Sequence, residues 1–374
     1  MAAENWFIKR AQMELAYFSF YARLKQRQTG GAGAVLRFQH VRPSHMGRFQ
    51  PHKVHEITPR FLDRTIRALK RWKYDIVSMD EVCDRAMSLP TRTRFVALTF
   101  DGGYKDFATY AHPILQKHNV PFALYVPTAF PDGLGEAWWL ALAEMIARET
   151  RISLVMDRKE RHFMIYKTQA KYELFDYLSE WLRALSPADR TFAIKDLCTR
   201  YSTDIAALSR AAWMNWDDLS KIAADPNATI GSATVNYPAL SSLRDLEAQR
   251  EIAMGKAVAE SAFHREVKHF AYPFGDRGAF RRQHVVMTEE AGFASGASTI
   301  GGVIEPLGRT NLHALPRIAW DGREGSIRMM RVLLSGFTFA PVAPTRNNPL
   351  HTSGRSIQLT MGIAGSTQPI PTTT

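Results

Sequence analysis

Cysteine is nearly absent: Cys83 and Cys198 are the only two in 374 residues. Two distant thiols with no C-x-x-C spacing exclude a disulfide scaffold and a thiolate metal site. Both fall in helical-looking segments and read as small buried hydrophobes. No apolar run reaches the ~20 residues of a membrane-spanning helix. Glu4, Lys9, Arg10 and Glu14 interrupt the N-terminus, and no apolar core with a small-residue cleavage site follows. No secretory signal is therefore expected, and the default location is the cytoplasm. There is no internal repeat. No nucleic-acid-binding motif is present either, so nucleic acid is not an expected partner. Acidic residues are outnumbered, 36 against 48 Lys and Arg, for a net charge of +12. That excess favours anionic surroundings, but the basic residues are scattered without a long run, as on a solvated basic surface.

What the chain does contain is organised around Phe95-Val96-Ala97-Leu98-Thr99-Phe100-Asp101-Gly102-Gly103-Tyr104. A continuous apolar run with β-branched and aromatic residues fits a strand buried on both faces. The glycine pair then stops it, which presents Asp101 at the C-terminal lip of a central strand, where α/β proteins usually place their chemistry. Asp101 also suits a plain helix cap.

Residues 4–28 read as one amphipathic helix, within an N-terminal segment 1–29. Its aromatic and basic stripe can lie on a membrane surface or pack on its own domain. After Gly30, Gly31 and Gly33, the first strand spans Ala34 to Phe38, with His40 at its end. Thr58-Pro59 opens a capped helix, and Asp75 to Ser78 is a second strand. A helix over 81–87 leads to the central strand, and another is expected over 106–118. Pro121 to Pro127 is a further apolar strand. This strand–helix alternation implies a parallel sheet, open or closed into a barrel. Residues 131–215 break the rhythm as a mainly helical insertion, with a hairpin around Asp157-Arg158-Lys159. Alternation resumes with strands near 229–231, 267–272, 294–298 and 315–320, and a helix over 326–334 ends the domain, bounded at 30–340. Residues 341–374 hold five Pro and only two charges, Arg346 and Arg355, the composition of a disordered tail.

Several of these stretches carry a family pattern. Thr99-Phe100-Asp101-Gly102-Gly103-Tyr104 resembles the first motif of the polysaccharide deacetylases (carbohydrate esterase family 4), normally Thr-Phe-Asp-Asp-Gly-Tyr. Ile230 to Pro238 resembles the second, which usually has His at the places of Ala233 and Tyr237. Phe270-Ala271-Tyr272-Pro273-Phe274-Gly275 resembles the third, in a branch without its arginine, and Leu315-Pro316-Arg317-Ile318 the closing strand. The resemblance runs from about residue 34 to 335. It implies an α/β fold, a distorted, incomplete (β/α) barrel with the helical insertion over its mouth. It also implies the family reaction, hydrolytic N-deacetylation of an N-acetylglucosamine-containing oligo- or polysaccharide. The nodulation chitooligosaccharide deacetylases belong to this family.

Active members hold a divalent metal, usually zinc, through an Asp just after the catalytic Asp and two His four residues apart. The ion polarises the acetamide and activates water, and the first Asp takes the proton. Here Gly102, Ala233 and Tyr237 stand at the ligand positions. No metal ligand is assigned and no cofactor is expected, since one carboxylate cannot hold zinc. The catalytic candidates are Asp101 and, for the family's late His, His313. His40 matches a His that the family keeps at the site rim. Saccharide contacts are expected from Tyr104, Trp138, Trp139, Tyr272, Pro273, Phe274 and Trp320. Three readings follow: a metal-free member, catalytically impaired, that binds N-acetylated saccharide or a partner; an active N-deacetylase with an atypical site around Asp101 and His313; or an interaction protein working through its basic N-terminal helix.

Overall fold

Alternation of side chains along eight parallel strands builds the molecule. The computed structural model describes residues 2–89, 92–156, 158–323 and 325–339; the expected tail over 341–374 lies outside them. The strands are β1 (Gly33–Phe38), β2 (Asp75–Ile76), β3 (Phe95–Asp101), β4 (Phe122–Val126), β5 (Ala228–Ser232), β6 (His269–Ala271), β7 (Ser295–Ala297) and β8 (Ile318–Ala319). They form one sheet in the order β7-β6-β5-β4-β3-β1-β8, with β2 on the N-terminal part of β3. The sheet curls until its edges meet at a lone parallel bridge, Ala297 to Leu315. The result is the distorted, incomplete (β/α) barrel that the sequence implied.

Both strand faces are buried, as parallel strands require. Leu36, Phe38, Val96, Leu98, Phe100, Leu124 and Ile230 face outward and pack against Phe61, Leu62, Ile66 and Leu69 of helix Pro59–Arg71 and against Leu115, Leu219 and Met330. The residues between them face inward: Val35, Phe95, Ala97, Ala123, Tyr125, Ala271 and Ala297 fill the barrel. Arg37, Thr99, Asp101 and Arg317 share that inward parity and are all buried. Charge thus enters the barrel only at its C-terminal end, beyond the apolar layers.

Between β4 and β5 stands the insertion, with a core of its own built from Leu142, Met145, Leu178, Leu182 and Leu197. Its helices are Trp138–Arg148, Thr168–Ala184, Pro187–Arg200 and Ile205–Ala212, and its hairpin pairs Arg151–Met156 with Lys159–Met164.

Two elements depart from expectation. The N-terminal helix is not continuous: Ala2–Phe18 and Tyr21–Thr29 are separate, divided at Phe20 in a left-handed conformation, φ 56°. The break lets Met13 and Ala16 on one side and Ala22 on the other join the core beneath helix Ile327–Leu333, with Glu14 paired to Arg328 at 3.2 Å. Leu15, Phe18, Phe20 and Leu24 remain exposed. The second departure follows β3. A π-helical turn, Phe107–Ala111, precedes helix His112–His118, because Pro113 has no N–H for the usual bond and crowds the preceding turn.

Candidate functional site

Asp101 ends β3 exactly where the buried strand meets the barrel mouth, but it is not free. Arg37 of β1 donates Nε to its Oδ2 at 2.6 Å. Arg317, which is fully buried, donates Nη1 to Oδ1 at 2.7 Å and Nη2 to Oδ2 at 2.9 Å. Both carboxylate oxygens are therefore taken by guanidinium groups. Burial alone would raise the pKa of Asp101, but the charges and hydrogen bonds of Arg317 and Arg37 outweigh it and hold the pKa below the usual carboxylate range. Burial works against the charge on Arg37 in the same way, and Asp101 reverses it. A permanently ionised, doubly paired carboxylate is a poor proton acceptor.

Gly102, Ala233 and Tyr237, the positions that the motif resemblance sets at the expected metal ligands, each have a structural setting of their own. Gly102 has φ 111°, outside what L side chains favour, and a Cβ there would land on the ring of Tyr104. Tyr104 is buried, lies 4.0 Å from His40 and 4.3 Å from Trp213 between ring centroids, and accepts a hydrogen bond from Gln39 Nε2 at 3.2 Å. Ala233 is buried with it. Tyr237 has φ 56° and packs on Trp139 and Phe274, with centroids 5.8 and 5.2 Å away. Its hydroxyl is held protonated by burial and by the charge of Asp101. The loop carrying it is pinned by Glu251, whose carboxylate accepts from the backbone N–H of Val235 and Asn236 at 3.0 and 2.9 Å.

These residues do not fit a divalent ion. Gly and Ala offer no donor, the phenol is neutral, and Asp101 is already matched by two positive charges that would repel a cation. Among the described residues no cluster of three His, Cys, Asp or Glu is placed to hold one.

Above this floor lies an open groove of about 450 Å³, lined by Arg37, Gln39, His40, His52, Trp138, Trp139, Phe175, Arg183, Tyr237 and Phe274. Arg183 stacks its guanidinium 4.7 Å from the Phe274 ring. Desolvation, then the neighbouring charges of His40 and Arg42, pushes the His52 pKa down to about 4. His40 Nδ1 meets Asp106 Oδ2 at 2.7 Å.

Of the residues expected to contact saccharide, Trp138, Trp139 and Phe274 line the groove, and Tyr104 lies buried beneath it. Three do not reach it. Tyr272 turns outward, stacks on Phe280 at 4.1 Å and donates to the His313 carbonyl at 2.6 Å. Pro273 is buried and does not line the groove. Trp320 stacks on Phe61 at 4.8 Å in the outer layer. His313 is not brought to Asp101: its Nε2 engages the Phe293 carbonyl at 2.7 Å, on the loop entering β7. The arginines were missed. A signal existed, because an Arg inside an apolar strand, Ala34-Val35-Leu36-Arg37-Phe38, needs a buried counter-charge.

The fold is a deacetylase-type incomplete barrel. A family model described as polysaccharide deacetylase matches residues 190–294. The matched segment contains the second and third motifs but not β3. The solved deacetylase PplD of Streptococcus pyogenes, in complex with acetate, has 16% identity and a TM-score of 0.52, covering 81% of this chain and 97% of that one. IcaB from Ammonifex degensii has 14% identity and a TM-score of 0.52, with 82% and 98% covered. A de-N-acetylase from Aggregatibacter actinomycetemcomitans has 13% identity and a TM-score of 0.50, with 80% and 98% covered. At these identities the likeness is one of fold. No curated protein sequence matches the chain.

Proposed function

We propose that this chain binds an N-acetylated oligo- or polysaccharide in the groove without hydrolysing it through the family's metal reaction. The observation that carries the reading is the double arginine clamp on Asp101 beneath an open, aromatic-lined groove. Sugar rings present C–H faces that pack on aromatic side chains, and Trp139 and Phe274 supply such faces. Arg37, Gln39 and His52 supply polar groups at the rim.

Tryptophan fluorescence tests this directly, because Trp138 and Trp139 both line the groove. Titration with N-acetylated chito-oligosaccharide is expected to shift the emission. Trp139→Ala is expected to weaken binding by roughly tenfold, in line with the 0.5–1.5 kcal/mol of an aromatic contact. Acetate release by the native protein would overturn the non-hydrolytic reading.

A second reading, an active deacetylase with an atypical site, is favoured by one observation, the His40–Asp106 pair at the groove wall. A His oriented by a carboxylate is the usual form of a general base. On that reading His40→Gln abolishes acetate release, and His313→Gln does not.

A further inference from the structure

Arg190 is a buried cation without a counter-ion. It lies in the first turns of helix Pro187–Arg200 in the insertion and is 7% exposed. Its backbone N–H bonds the Ser186 carbonyl at 2.9 Å, but among the described residues its guanidinium makes no hydrogen bond and no ion pair. Two carboxylates stand near enough to be felt, and both are committed elsewhere. Glu136 accepts from Thr191 Oγ1 at 2.8 Å, and Glu251 holds the backbone of Val235 and Asn236. Desolvation lowers the pKa of Arg190, and the charges of Glu136 and Glu251 do not restore it. The guanidinium nitrogens are not sealed off, so they face the solvent of a cavity and no protein partner, at a partial desolvation cost.

The cavity it lines makes sense of that. It is an open cavity of about 600 Å³, bordered by Trp138, Phe192, Lys195 and Asn236 as well as Arg190, with the carboxylates of Glu136 and Glu251 also on its wall. Phe192 is 75% exposed, an aromatic face at the cavity edge. Trp138 lines both this cavity and the groove above Asp101, so a chain of sugars leaving the groove meets the cavity across a single indole. A planar guanidinium fork with an exposed ammonium beside it matches an oxyanion, a carboxylate or a phosphate.

We propose that the Arg190 cavity is a subsite for an oxyanion carried by the bound saccharide, so that the preferred ligand is an acidic rather than a neutral N-acetylated oligosaccharide. This rests on the saccharide reading above and assigns that ligand its charge. Arg190 makes the bidentate contact, Lys195 adds a second positive charge, and Trp138 and Phe192 receive the ring that bears the anion.

The test is calorimetric titration of the full chain with three ligands: neutral chitohexaose, a hexasaccharide alternating N-acetylglucosamine with glucuronic acid, and inorganic phosphate. The acidic oligosaccharide is expected to bind at least about tenfold more tightly than the neutral one, with a preference that shrinks as salt rises. Arg190→Met is expected to erase the preference and leave neutral binding unchanged. Lys195→Ala, at an exposed position, is expected to reduce it about threefold and keeps the test alive if the first variant fails to fold. Phosphate that displaces only the acidic ligand identifies the same oxyanion site. Equal affinity for the two sugars, unmoved by either variant, overturns the subsite but leaves the saccharide reading standing. Phosphate binding that needs Arg190 while neither sugar binds keeps the oxyanion site and overturns the saccharide reading. Silence from all three ligands overturns both.

Discussion

Asp101 and Arg190 are both charged and both almost fully buried, yet their surroundings are opposite. Asp101 receives three charge-assisted hydrogen bonds from two arginines, none of them longer than 2.9 Å. Among the described residues the Arg190 guanidinium has no hydrogen bond and no ion pair, and it lines a cavity where the nearest charges are the already engaged carboxylates of Glu136 and Glu251. A buried charge with every bond satisfied rigidifies the fold and has little left to offer a substrate. A buried charge with none satisfied costs stability, and ligand binding is the ordinary way for that cost to be recovered. Asp101, which the motif resemblance marks as the catalytic candidate, is thus held in a structural clamp, while the less compensated charge lies in the insertion.

The largest effect is expected where the clamp is broken. Asp101→Asn leaves Arg37 and Arg317 buried without a counter-charge, at a cost of about 3–5 kcal/mol, read as a drop in the denaturation midpoint. A loss below about 1 kcal/mol would mean the clamp is not holding the barrel mouth. The same clamp sets an acid limit. The pKa of Asp101 is depressed in the fold from its ordinary 3.8, so its contribution is complete at neutral pH. It is lost only as pH falls below about 4 and through the folded value. Stability measured from pH 8 down to 5 is expected to stay flat with respect to this group. A decline centred near pH 6 would assign the acid sensitivity to a histidine instead.

A smaller effect separates lost ligands from a rebuilt floor. If only the ligands were missing, Gly102→Asp, Ala233→His and Tyr237→His together would restore a zinc site. The ring of Tyr104 already occupies the space of a side chain at 102, and φ there is 111°. The triple variant is therefore expected to lose about 1–3 kcal/mol from backbone strain and to bind no zinc in calorimetry. Tight zinc binding at native stability would show that Tyr104 swings aside freely and that the floor is an intact site missing three side chains.

The strands and helices were legible because their signals are local and redundant, whereas closure into a barrel was implied only by the resemblance. Apolar runs such as 95–100 and 121–127 mark strands buried on both faces, Thr58-Pro59 marks a helix start, and the glycine pair marks the mouth. The site was legible only in outline. Asp101 was correctly placed at the mouth, but its two partners come from strands 64 and 216 residues away in sequence, and no local pattern joins them. Strand parity turns Tyr272 away from the groove. The same parity places Trp320 outside, since Arg317 faces in and Ile318 and Trp320 face the outer helices. Arg190 sits in an ordinary helical stretch, and its isolation is a property of packing alone.

The finest test of the contrast is a sign. Removing charge at 101 is expected to destabilise, whereas Arg190→Met removes an unpaired buried charge and keeps an apolar side chain of similar length. Replacing buried ionic groups by well-packed apolar ones is commonly neutral or stabilising by about 1–4 kcal/mol. With water able to enter the cavity, the low end applies, a gain of about 1 kcal/mol in chemical denaturation without ligand. The gain should shrink when the acidic oligosaccharide is present, because binding then stabilises the native chain more than the variant. A loss of stability in the unliganded variant would mean that Glu136 and Glu251 compensate Arg190 through the field they share, and the two buried charges would then differ in degree rather than in kind.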